Sequence, residues 1–267
     1  MAKKPVVEET VVEAPVVVEA PAAPESTAVM NWEDQLAKYA AVASESEDLT
    51  GGAFLSLKAG RLAINGQQVA GNALDCIVVA HAYENAYYVG KYDPQNPNPP
   101  KCYAFGNGDD KHAEDNMVPH ANVAEPESDA CATCPKNEWG SDPDGGRGKA
   151  CKNTRRLALM PADIVNNPEK IVSGEQIYLK LPVTSVKTWG AYVHAVSAQD
   201  KRPPFAVVTT ISTEPDAKSQ FKVTLSRKSV ITDQAAIGQL VKAHELALES
   251  VQFPYPAYKA VAKSEKF

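Results

Sequence analysis

Between Asp93 and Ala150 the chain carries little with which to build a core. The stretch is rich in Pro, Asn, Asp and Gly and poor in apolar residues. A structureless loop of that length is uncommon in a compact domain unless something ties it down. Four cysteines bracket it, Cys102 near its start, Cys131 and Cys134 late within it and Cys151 just after it, in the spacing C-x28-C-x2-C-x16-C. A CxxC turn lets two thiolates meet one ion, because the chain reverses between them. Four thiolates suit tetrahedral Zn²⁺ and make a closed structural site. Such an ion would stabilise a segment too poor in apolar residues to fold alone. The expectation is one structural Zn²⁺ per chain on Cys102, Cys131, Cys134 and Cys151, with residues 93–151 as a zinc-binding insertion. His112 and His120 lie inside it, and either is an alternative to one cysteine. An Fe–S cluster on the same thiols and unliganded thiols stay open as readings. The fifth cysteine, Cys76, sits in the apolar run Cys76–Val79 and reads as a small core residue.

The rest of the chain has material for a core: of its 267 residues 44% are hydrophobic. No run of eighteen apolar residues predicts a spanning helix, and the N-terminal stretch lacks the apolar region of an export signal. Without export, metal binding is a better account of the cysteines than a disulfide framework. Residues 1–30 repeat Val, Glu, Ala and Pro with no helical or strand period. Pro5, Pro15, Pro21 and Pro24 interrupt any helix there. This reads as a disordered acidic arm, either a solubilising tail or a competitor for a basic groove. Folded structure is expected from Asn31, which can cap a helix carrying Trp32, Leu36 and Tyr39.

Strands follow. Phe54–Leu57 and Arg61–Ile64 flank Ala59-Gly60, a hairpin signal. Cys76–Val79 reads as a buried strand, Glu84-Asn85 as a turn and Ala86–Val89 as a further strand. Beyond the insertion, Arg155–Met160 and Gln176–Leu181 read as strands. A helix then carries Val186, Trp189, Val193 and Val196 on one face. Phe205–Ile211 and Phe221–Leu225 are strands joined through Glu214-Pro215-Asp216. Thr232 or Asp233 caps a last helix with Ile237, Leu240, Val241, His244 and Leu248. The Pro- and aromatic-rich segment from Phe253 to Tyr258 is expected to lie along the domain surface. Strands and helices do not alternate as in a parallel α/β sheet. The expected fold is mainly β with α: an OB-like antiparallel β-barrel over residues 31–267, with the zinc-binding insertion and peripheral helices.

Formal net charge is −6, which taken alone argues against a nucleic-acid partner, but local charge matters more. Arg147, Lys149, Lys152, Arg155 and Arg156 fall within ten residues, with Trp139 upstream and Tyr103 and Phe105 after the first cysteine. Cations that track phosphates and rings that stack on bases suit single-stranded nucleic acid. Lys58 and Arg61 on the first hairpin, and Arg202, Lys222, Arg227 and Lys228 later, can extend that face. The bland reading is a solvated charged strand offset by the ten acids between Asp109 and Asp144. No Walker loop, HExxH or GxSxG is present. Asp109, Asp110, His112, Glu114 and Asp115 suggest a metal-dependent nuclease only weakly, and His81, His194 and His244 read as structural.

The segment Cys131-Ala-Thr-Cys134-Pro-Lys-Asn-Glu-Trp139, followed by Gly148-Lys-Ala-Cys151-Lys-Asn-Thr-Arg155-Arg156, resembles a bacteriophage zinc-containing protein family of unassigned activity. Leu181-Pro-Val-Thr-Ser185 and Pro204-Phe-Ala-Val-Val-Thr209 fit the same resemblance, which covers roughly residues 54–231. More loosely, the layout is similar to phage single-stranded DNA-binding, helix-destabilising proteins, with an OB-type barrel and an inserted zinc subdomain. The chain departs from them in offering four cysteines where that zinc site includes a histidine, and in an acidic arm at its N-terminal end. The resemblance implies a non-enzymatic protein that coats single-stranded DNA in phage replication or recombination. It would act in the cytoplasm of the infected bacterial host, with replication or recombination proteins as further partners, no membrane association and a possible homo-oligomer. The alternative is a phage structural or interaction protein with a zinc-stapled loop.

Overall fold

The computed structural model describes residues 53–90 and 98–258, together with Leu36. The chain divides into two units, residues 1–48 and 49–267. Of the first, Leu36 alone is described; it is helical and exposed. The expected acidic arm and the rest of the helix from Asn31 lie outside the described residues.

The second unit is mainly β with some helices, built on a nine-stranded mixed sheet. Strands β1 (Ala53–Lys58) and β2 (Arg61–Ile64) form the expected hairpin. Ala59 (φ 48°) and Gly60 (φ 73°) both turn left-handed, which matches the twist of the flanking strands. The spine is β4 (Ala73–Tyr87). Along one edge it pairs with β6 (Cys151–Pro161). Its other edge is shared end to end by β8 (Val207–Asp216) and β5 (Cys102–Asn107). Outward from β6 come β7 (Ile177–Leu181), β1, β2 and β3 (Gln67–Gln68), and β9 (Gln220–Val230) lies outside β8.

Three sequence expectations change here. Glu84-Asn85 is not a turn: both residues pair on both sides, with Phe105 and Ala104 on β5 and Thr154 and Asn153 on β6. Two polar residues inside a strand look like a break, but here their side chains have buried partners. Cys102–Asn107, assigned to the insertion, is a strand of the main sheet. Glu214-Pro215-Asp216 still belongs to β8, and the chain reverses over residues 217–219, where Asp216 accepts hydrogen bonds from the backbone of Lys218 and Ser219.

The sheet is also not wholly antiparallel. After β7 the neighbouring strand is β1, running the same way, with Ala53 opposite Ile177 and Phe54 opposite Tyr178. Helices α1 (Val186–Asp200) and α2 (Gln234–Ser250) cover opposite faces. Alternate residues of β6 show this, as a strand's period of two requires. Leu157 and Leu159 join Trp189, Tyr192 and Val196 of α1, whereas Ala158 and Met160 join Leu240, Ala243 and Ala247 of α2. Asp233 is the cap of α2, accepting from the Ala236 amide at 2.7 Å.

The α1 cluster takes Leu55 and Leu62 from one end of the sheet and Ile211 and Val223 from the other. The sheet therefore curls into a half-barrel around α1. Asn72 fastens the curl, donating to the Gly60 carbonyl at 3.0 Å and meeting Thr213 at 2.7 Å. Among the described residues no helix is long and apolar enough to cross a membrane.

Candidate functional site

The far end of β4 organises the cysteines. Tyr87 pairs with Cys102 on β5 and with Cys151 on β6. The two cysteines flank one residue at the same register, so their side chains leave the same face of the sheet. Cys131 and Cys134 approach that face on a turn closed by the Cys134 amide and the Cys131 carbonyl. All four line one pocket of about 20 Å³, floored by Asn85, Tyr87 and Ala104, with room for a single water-sized occupant. All four are buried.

Burial, followed by the neighbouring thiols, pushes Cys151 up to about 12. Burial also raises Cys102 and Cys131, while a backbone hydrogen bond from Glu127 opposes this at Cys102 and Asn85 opposes it at Cys131. Among the described residues no group of three or more His, Cys, Asp or Glu is arranged to hold a metal ion. His120, one proposed substitute ligand, instead stacks on Tyr103 at 5.0 Å.

A set of amides fixes the CxxC turn to the sheet. Asn137 donates to the Cys131 carbonyl at 2.9 Å and accepts from Asn153 at 3.0 Å and from Lys149 at 3.2 Å. Asn153 also donates to Asn85. Three asparagines from separate elements thus join the insertion to β4 and β6. In the sequence they look like ordinary loop residues.

The basic and aromatic residues divide into two groups. Trp139 is 80% exposed, with the Lys149 ammonium 5.4 Å from its ring centroid. Arg147 is exposed on the same loop. Lys152 is exposed and reaches Asp142 at 3.4 Å. Lys58 and Arg61 are exposed on the β1–β2 hairpin, a different element. Arg155 is partly withdrawn, since it pairs with Glu114 at 2.6 Å and lies over the Tyr83 ring.

Arg156 and Tyr103 correct the expectation. Arg156 is 3% exposed and Tyr103 is 4% exposed, so neither presents a surface for bases or phosphates. The parity of the strands explains this: Arg156 and Tyr103 face the side opposite the cysteines, under the C-terminal segment. The expected extension of the basic face is largely neutralised as well. Lys222 pairs with Glu214, Arg227 with Asp200 and Lys228 with Asp75.

Sequence reasoning missed the group around Arg156. Glu84 is fully buried on β4 and meets Arg156 Nε at 3.1 Å and Lys180 Nζ at 2.6 Å. Tyr255 donates to the same carboxylate at 2.5 Å. Burial by itself would raise Glu84, but Lys180, Arg156 and the hydrogen bonds outweigh it and hold the carboxyl below its usual range. Arg156 also donates to the carbonyls of Val251 and Phe253 and lies over the Phe253 ring. The expected surface segment is therefore clamped down by a buried cation. An Arg and a Glu separated so widely in sequence give no local signal of their pairing.

The acids offered as a nuclease centre disperse. Asp109 reaches His244 of α2 at 2.8 Å, Asp110 accepts from the His112 amide, and Glu114 serves Arg155. No protein-family model, curated protein or solved structure matches the chain.

Proposed function

We propose that the protein binds single-stranded nucleic acid, DNA in the first instance, through an insertion stapled by one structural Zn²⁺. The observation that carries this reading is Trp139, a large aromatic left 80% exposed with Lys149 against its ring and Arg147 on the same loop. An exposed aromatic among cations is suited to stacking on a base while the cations follow the backbone. Lys152 and, on the hairpin, Lys58 and Arg61 add positive charge. Arg156 and Tyr103 take no part.

In this reading Cys102, Cys131, Cys134 and Cys151 hold the zinc. An ion there would draw the four thiols into one tetrahedral set, cross-link β5, β6 and the CxxC turn, and leave no position for catalysis. The pocket that all four cysteines share supports it. The curled sheet would then act as an OB-type scaffold, and the protein as a phage replication or recombination factor in the host cytoplasm.

The test is a titration of a single-stranded oligonucleotide, against its duplex, over a range of salt. Binding to the single strand should weaken with salt, each phosphate contact adding about 0.7 to the log–log slope. Trp139→Ala should cost about 1–3 kcal/mol, the scale of one stacked base, with the slope nearly unchanged. Absence of single-strand binding at low salt would remove this reading. The second reading, a zinc-stapled protein-interaction module, would then stand on the same exposed Trp139 and on Val118, 58% exposed in the same insertion.

A further inference from the structure

A cleft of about 760 Å³ opens between α1, the middle of β4 and the turn after β5. It shares no lining residue with the cysteine pocket. Val79, Ala80, Trp189 and Val193 line it together with His81 and His194, and Phe205 forms part of one wall. Lys201 and Arg202 stand at the end of α1. The nearest acid in sequence, Asp200, is engaged by Arg227 at 3.1 Å. Lys201 adopts the left-handed conformation (φ 55°, ψ 37°) at a helix end, a position that usually takes glycine.

Asp109 is the one acid among the described lining residues, and it is already matched. His244 meets the Val79 carbonyl through Nδ1 at 2.7 Å and the Asp109 carboxylate through Nε2 at 2.8 Å. Two cations, Lys201 and Arg202, thus line the cleft with one carboxylate, Asp109, which is already held by His244. Its volume lies in the range of small-molecule sites, and an apolar body with a few polar anchors is their usual composition.

We infer that this cleft binds a phosphate monoester carried on a flat apolar body, as in a nucleoside monophosphate. Lys201 and Arg202 take the phosphate, and the floor beside Trp189 and Phe205 takes the base. An Arg fork beside a Lys favours phosphate oxygens over a lone carboxylate. The same chemistry is offered by a free mononucleotide and by the 5′-phosphate end of a strand.

The experiment titrates dAMP and deoxyadenosine into the full chain by calorimetry, then repeats it with Lys201→Gly/Arg202→Ala. Glycine suits the left-handed position, so the double variant should keep its thermal midpoint. The expected result is dAMP binding at least tenfold tighter than deoxyadenosine, and a loss of at least tenfold in the double variant. A second arm compares a 5′-phosphorylated with a 5′-hydroxyl oligonucleotide. A gain from the 5′-phosphate that vanishes in the double variant identifies a strand end as the source, and dAMP binding with no such gain identifies the free nucleotide. If neither dAMP nor the 5′-phosphate responds to the double variant, or deoxyadenosine binds as well as dAMP, the inference is overturned. Trp139→Ala should leave dAMP binding unchanged, which separates this cleft from the insertion surface.

Discussion

Cys102 and Cys151 stand in register on either side of Tyr87, one on β5 and the other on β6. At the usual spacing of neighbouring strands their Cα atoms are about 10 Å apart. That leaves space between their sulfurs for the CxxC turn to contribute Cys131 and Cys134 from above. The two ends of the insertion are therefore fixed by the main sheet rather than by the loop.

From this arrangement the purified protein should contain about one zinc per chain, as a closed four-thiolate site holds. Cys151→Ser should lose the metal and make the insertion beyond β5 sensitive to protease, while β4 and β6 stay paired. Full zinc content in that variant, measured by elemental analysis, would refute the assignment.

Glu84 makes a prediction about acid stability. Its carboxyl is held below the ordinary range of glutamate, so its contribution is complete above a pH of about 4.3 and fades as pH falls through the lower folded value. Glu84→Gln removes the charge and leaves Arg156 and Lys180 facing a neutral amide. Breaking a buried ion pair on one side costs about 3–5 kcal/mol. Denaturant unfolding at neutral pH should show a loss of that order, and the loss should shrink in acid.

Arg156 and Arg147 should separate cleanly. Arg156→Ala is expected to destabilise the fold and to release residues 251–258, detected by amide exchange in that segment. Arg147→Ala should leave the thermal midpoint unchanged and lower the salt slope of single-strand binding by about 0.7. Reversed behaviour would mean that the buried and exposed roles have been exchanged.

Gly108 passes so close to β4 that a Cβ would sit 2.2 Å from the His81 carbonyl oxygen and 2.7 Å from the His81 ring. Backbone must move to admit it. Gly108→Ala should therefore destabilise by about 1–3 kcal/mol, the usual cost of overpacking. It should also displace Asp109 from His244, seen as a changed His244 ring signal by NMR. Unchanged stability would show that the turn has room to yield.

Read along the chain alone, a poorly apolar segment bracketed by four cysteines, the dominance of strands, the Ala59-Gly60 turn and a helix start at Thr232 or Asp233 are all legible. These are local properties: spacing, a period of two or of 3.6, and a cap or turn chemistry that acts within a few residues. Cys76 was legible for the same reason, because an apolar run announces burial. Which side of a strand each residue faces, and what lies across from it, emerges only on folding. Arg155 and Arg156 are neighbours in sequence and equally basic, yet strand parity sends Arg155 to the cysteine side and buries Arg156 against Glu84. The continuity of β4 through Glu84-Asn85, the Asn85–Asn153–Asn137 fastening and the Asp109–His244 contact all depend on partners far along the chain. A buried polar residue is stable only with its partner present, and residue type alone does not say which partner the fold will bring.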